Sequence, residues 1–319
     1  MKNILFPLLF LTLLFFSITI KSQSKYTPLP TVPDTYKVTS TTNLEYKYVP
    51  SIKELISSET FIPSDPNLYK NKRSDKKMRG NKVVPGKGLP KGADPLLNLG
   101  SKNNKKQNRN PILDFLTTSN TATPGDPTGE VGRDYYITAW NSSFRIYNLD
   151  GTPAIPAAGL GNLFTQDAGD PIALYDSEAD RYIISSMGNS AVNFAVSVSN
   201  DPVNDGWHVY NASSNAFPTG GFPDYPKYSI WSDAYYLTIN PANLFALERD
   251  KILTGDTSAS MQSFSIPAIA TSGFASAQIL DIVDDNHPSP GNATLIYLQD
   301  DAWSGVSNDH LKLWDVNVD

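Results

Sequence analysis

Runs in which aromatic and β-branched residues crowd together recur along the chain after residue 110, each bounded by Gly, Asn, Asp or Pro. One kind reads DYYITAW (134–140), DRYIISS (180–186), AYYLTIN (234–240) and ATLIYLQ (293–299). Each is followed by a second kind: SFRIYNL (143–149), NFAVSVS (193–199), LFALERD (244–250) and LKLWDVN (311–317). Segments of this length, composition and punctuation predict β-strands.

Taking Phe144, Phe194, Phe245 and Leu311 as equivalent points, the spacings are 50, 51 and 66 residues, near the roughly 50-residue unit of propeller blades such as kelch. A third element precedes each pair: GDPTGEVG at Asp126, GDPIALYD at Asp170, PDYPKYSIW at Asp224 and QILDIVDD at Asp281. Proline fixes φ and suits the first residue of a strand, and an Asp before it can accept hydrogen bonds from a turn backbone. The step thus predicts the start of a short innermost strand. The expected fold is all-β, a β-propeller-like domain over 110–319 with about four recognisable blades. A β-sandwich or jelly roll also gives short, evenly spaced strands, but the same two strand types recur in the same order four times.

Before this domain the texture differs. Residues 1–24 carry Lys2, a largely apolar run from Ile4 to Ile20 and then Ser22 and Ser24, which reads as a secretory signal peptide. A membrane anchor would need about 20 apolar residues, so no stable span is expected after cleavage. Residues 25–109 form an N-terminal extension with short β-prone runs, TYKVTST and NLEYKYV, ahead of a basic low-complexity linker. Residues 1–120 hold 19 Lys/Arg against 8 Asp/Glu and residues 121–319 hold 7 against 24, which together give the net charge of −6. The basic stretch lacks interleaved aromatics, so it reads as solvated linker and not as a nucleic-acid site.

The combination GEVGRDYYITAWNSSFRIYNLDG, GDPIALYDSEADRYIISS, FPDYPKYSIWSDAYYLTIN and DIVDDNHPSPGNATLIYLQDD resembles a group of secreted bacterial β-propeller proteins. Many of these are multi-domain, with C-terminal secretion or adhesion modules. The resemblance covers about residues 121–319, implies a secreted or cell-surface location, and brings no catalytic residues with it.

The chain has no cysteine, which excludes disulfides, thiolate metal sites and Cys nucleophiles. Three histidines and no G-x-S-x-G elbow leave little room for a nucleophilic triad. Asp126, Asp170 and Asp224 would be axial carboxylates, the acid and base of a glycoside hydrolase or lyase. Asp281, Asp284, Asp285, Asp300 and Asp301, with Asp309, supply hard oxygen ligands of the kind calcium takes. Trp231, Tyr225, Tyr228 and Asp176 are expected to line a ligand surface, the rings stacking on sugar or on a protein partner. The expected function is a non-catalytic module that binds a polysaccharide or cell-surface protein. A glycosidase or lyase is the alternative, and an architectural segment of a larger adhesin a further one.

Overall fold

The structure is a computed structural model. It describes residues 38–65, 111–117, 125–165, 169–188, 191–213, 216–217, 223, 226–240, 243–271, 277–283, 287–288 and 293–318. All of them belong to one compact unit, residues 36–319. The signal segment, most of the basic linker and the sites placed on Asp224, Tyr225, Asp284 and Asp285 lie outside the described residues.

The chain is mostly β and builds four antiparallel sheets one after another. The first is β3 (Thr128–Val131), β4 (Tyr135–Trp140), β5 (Ser143–Asn148) and β6 (Ala158–Gly159). The second is β7 (Ile172–Asp176), β8 (Arg181–Gly188), β9 (Ala191–Ser197) and β10 (Trp207–Ala212). The third is β11 (Lys227–Ile230), β12 (Ala234–Ile239), β13 (Asn243–Glu248) and β14 (Ser260–Ser265). The fourth, β15 (Gln278–Ile279), β16 (Ala293–Gln299) and β17 (His310–Val316), has three strands. The two recurring strand types of the sequence are the second and third strands of each sheet.

Three hydrophobic clusters lie between consecutive sheets. Ile137, Ala139, Phe144 and Ile146 of the first sheet meet Tyr182, Ile184 and Ala195 of the second. Ile183, Phe194 and Val196, on the second sheet's other face, meet Tyr235, Leu237 and Phe245 of the third. Ala234, Tyr236 and Leu244 of the third meet Ala293, Leu295 and Val316 of the fourth. Side chains alternate between faces along a strand, so a sheet covered on both sides reads as nearly continuous apolar sequence. That is the origin of the crowded runs at 180–186 and 234–240. Packing also places first strands beside first strands, β3 against β7 and β11 against β15.

The N-terminal extension contributes structure that its sequence only hinted at. β1 (Val38–Asn43) pairs antiparallel with β14, and β2 (Glu45–Val49) pairs antiparallel with β10, so the third and second sheets each gain a fifth, outermost strand. Only Leu44 separates the two strands; it is buried, and its N–H donates to the Ala259 carbonyl at 2.9 Å. Helix α1 (Ile52–Ser57) follows, its first turn capped by Ser51 Oγ accepting from Glu54 N at 3.1 Å. Ile52 plugs the core between the first and second sheets. Further on, Ile62 accepts from Gly159 N, and Pro63 bridges Ala158 on the first sheet's fourth strand. Residues 38–64 are therefore a strap that crosses the outer edges of three sheets in reverse order, covering edges that would otherwise present unpaired backbone groups.

A second helix, α2 (Arg249–Thr254), joins β13 to β14 and ends at Gly255. Its φ of 71° is a left-handed cap that favours glycine, and a side chain there would run into the His208 ring.

Candidate functional site

The Gly-Asp-Pro steps share one backbone signature. Asp126 and Asp170 both sit in the left-handed region, φ 41° and 47°, a conformation that Asp tolerates better than most residues. Asn141 holds the two turns together: its Nδ2 donates to Asp126 Oδ2 at 2.6 Å, and its Oδ1 accepts from Asp170 N at 2.7 Å. Gly169 in turn accepts from Met187 N at 3.1 Å and Ser186 Oγ at 3.0 Å. The structure thus brings Asp126 and Asp170 together as turn residues at the leading ends of β3 and β7, where local hydrogen bonding occupies them.

The opposite ends of the first strands carry more demanding chemistry. Asp176, the last residue of β7, is fully buried. Its Oδ2 accepts from Arg249 Nε at 2.7 Å and from Tyr235 Oη at 2.7 Å, and its Oδ1 from Arg249 Nη2 at 2.9 Å and Ala179 N at 2.9 Å. Burial alone would raise the carboxyl, but the hydrogen bonds and charge of Arg249 outweigh it and hold Asp176 below its ordinary 3.8. Burial pushes Tyr235 well above the ordinary range, with the Asp176 charge adding to the effect.

Arg249 also reaches Glu178 Oε2 at 3.0 Å, and its Nη1 donates to the Ser232 carbonyl at 3.3 Å. Glu178 stands 3.7 Å from His287 Nδ1. The His287 ring is buried, and neither of its nitrogens makes a hydrogen bond. Beyond it, Asp281 Oδ1 accepts from Ile230 N at 2.9 Å. Asp281 is exposed on one side, yet desolvation by the groups packed against it raises it above 3.8, against the lowering effects of Ile230 N–H, Ile282 N–H and His287. Glu130 on β3 is also raised, first by burial, against the Val131 N–H and with help from the Asp281 charge. Glu130, Glu178, Arg249 and the pair Asp281 and His287 thus come one after another from the first, second, third and fourth sheets.

Two aromatic residues assigned to a ligand surface prove to be interior. Tyr228 and Trp231 are each 6% exposed. Tyr228 Oη lies 2.6 Å from Ser185 Oγ, and Trp231 Nε1 donates to the Leu280 carbonyl at 2.7 Å. Both rings wedge sheet against sheet, because stacking on two faces consumes the aromatics that an open surface would display. Asp176 is likewise corrected from a ligand contact to a buried ion-pair partner.

Of the acids assigned to a cation, Asp300 and Asp301 meet Asp309 at the β16–β17 hairpin, with one oxygen of each within 4.8 Å of the others. Asp281 is part of the cluster beside His287 instead. Two of the hairpin carboxylates already accept backbone N–H groups, Asp300 from Ala302 and Asp309 from Asp301. Three carboxylates supply part of the six to eight oxygens that calcium takes, the rest being left to backbone carbonyls or water.

Comparison with protein-family models, curated proteins and solved structures gives no match.

Arg249, Glu178 and Glu130 are the residues that sequence reasoning passed over. For Arg249 a signal was present: after residue 121 arginine occurs only at 133, 145, 181 and 249, and a lone arginine closing an apolar strand needs an acid. Glu130 and Glu178 carry no local mark that separates them from solvated acids.

Proposed function

We propose that the four meanders are blades of a β-propeller and that the chain is a secreted, non-catalytic module binding a polysaccharide at the trailing end of its first strands. The observation that carries the reading is the succession of Glu130, Glu178, Arg249, Asp281 and His287 from all four sheets at that end. Carboxylates accept hydrogen bonds from sugar hydroxyls, and a guanidinium donates in a fixed fork. In support of the blade reading, each sheet packs on the next, and first strand lies beside first strand at two of the three junctions, β3 on β7 and β11 on β15.

A glycan array probed with wild type, Glu130→Gln and Asp281→Asn tests it. Binding that both substitutions weaken, with no product released, is the expected result. Retained binding in both variants would remove the trailing end as the site.

One observation favours a second reading. Glu130 and Asp281 are both raised, and the Asp281 charge adds to the rise at Glu130; a raised carboxyl beside a second carboxylate is the pattern of the acid and base pair of glycoside hydrolysis. Turnover abolished by either substitution selects that reading.

A further inference from the structure

The segments at the trailing ends of the first strands, residues 130–134, 176–181, 231–233 and 280–283, hold seven acids, two arginines and no lysine. Each sheet contributes at least one of the acids: Glu130 the first, Glu178 the second, Asp233 the third and Asp281 the fourth.

The arginines at this end are engaged within the protein. Arg249 gives Nε and Nη2 to Asp176, Nη2 also to Glu178, and Nη1 to the Ser232 carbonyl. Arg181 Nη1 turns back on its own hairpin, donating to the Ala179 and Asp180 carbonyls at 2.8 and 3.0 Å, and Arg133 Nη1 lies 3.9 Å from Asp180 Oδ2. Among the described residues neither Glu130 nor Asp281 forms an ion pair. Both carboxyls are raised, by desolvation first, and the Asp281 charge adds to the rise at Glu130. Carboxyls with no cation beside them behave in this way.

His287 is a separate sign. Its side chain is 1% exposed, Nδ1 stands 3.7 Å from Glu178 Oε2, and both ring nitrogens lack a hydrogen-bond partner. A buried polar group without a partner is uncommon and marks the place where a water, ion or ligand group is received. The trailing end thus has acceptors and negative charge to spare. A sugar hydroxyl both donates and accepts, whereas an ammonium group brings three donors, no acceptor and a positive charge.

We propose that the trailing end selects a polysaccharide bearing free amines, with ammonium groups of successive sugar units set against Glu130, Glu178 and Asp281 beside His287. One acid from each sheet suits a polymer that repeats its charge unit by unit; a single amine would need only one of them. The inference rests on the reading of this end as a glycan site and names the class of glycan.

Calorimetric titration of the full chain with glucosamine oligomers, N-acetylglucosamine oligomers of the same length and a neutral glucan tests it, at a pH that keeps the amines protonated. The glucosamine oligomer is expected to bind at least about tenfold more tightly than either of the others, and the gap narrows as salt is raised. Glu130→Gln and Asp281→Asn each shrink the gap, and His287→Phe, which keeps a ring and removes both nitrogens, weakens the amine as well; circular dichroism checks that each variant is folded. Equal or tighter binding of the acetylated or neutral oligomer, weakened by the same substitutions, overturns the inference and leaves the glycan site standing. A preference for the amine that all three variants keep removes the trailing end as the site and the inference with it, as does a wild type that binds none of the three. Polylysine that displaces the glucosamine oligomer at equal amine concentration overturns the inference in favour of a cationic polypeptide.

Discussion

Asp176 and Arg249 form a two-pronged ion pair, Oδ2 to Nε at 2.7 Å and Oδ1 to Nη2 at 2.9 Å, that ties the end of β7 in the second sheet to the end of β13 in the third. Removing one partner of a buried pair costs about 3–5 kcal/mol, and without Asp176 the buried guanidinium keeps only the partly exposed Glu178 as a charged partner. Asp176→Ala is therefore expected to lower the unfolding free energy by about that amount in urea titration. The double variant Asp176→Leu with Arg249→Met recovers most of it, because two apolar groups leave no charge uncompensated. A loss below about 1 kcal/mol in the single variant would show the pair to be screened as surface pairs are.

Acid dependence follows from three carboxyls with opposite signs. Asp176 is held below its ordinary 3.8, so its contribution is present above that value and disappears as pH falls through the folded one. Glu130 and Asp281 are raised above 4.5 and 3.8, so they favour the folded state when protonated, and stability drops as pH climbs through their folded values. Mild acidification from neutrality is expected to raise the melting temperature before strong acid lowers it. Glu130→Gln combined with Asp281→Asn flattens the first limb and leaves the second. Calorimetry across the acid range checks this, and an unaltered first limb in the double variant refutes it.

Leu44 is the one residue between two strands that serve different sheets, and it fills the core between the second and third. Leu44→Asp puts an unpaired charge there. Hydrogen exchange is expected to show lost protection in β1, β2 and the outer edges of β10 and β14, while β8 and β12 keep theirs. Uniform loss across all four sheets would mean that the strap is not a separable unit.

Calcium at the hairpin acids has a direct test. An ion bound at about one hundred times its dissociation constant adds about 2.7 kcal/mol, so the melting temperature rises on addition, falls back with chelator, and fails to respond in Asp309→Asn. A melting curve blind to calcium removes the ion from Asp300, Asp301 and Asp309.

The strands were legible because their signal is local: aromatic and β-branched residues between turn formers. The turn role of Asp126 and Asp170 was legible for the same reason. Register was not. Phe144 and Phe194 each face the following sheet, but Phe245 faces back toward the second, so the residues of the third sheet that face forward include Leu244 and Ala246. A slip of one residue reverses every side chain, and composition does not detect it. The interior placement of Tyr228 and Trp231 escaped because aromatic content does not say whether a sheet is covered once or twice. The N-terminal runs were legible as β-prone, but the partners of the strap were not, because Glu45 pairs with Asn211 and Val38 with Phe264, pairings that no window along the chain contains.

Those distant pairings have a consequence for the order of events in folding. The strap is synthesised before the strands it joins: β2 can find no strand partner until the chain has been made through Ala212, and β1 none until it has been made through Ser265. Contacts so far apart are slow to form. Until they do, the last strands of the second and third sheets remain open to any other extended peptide that arrives first.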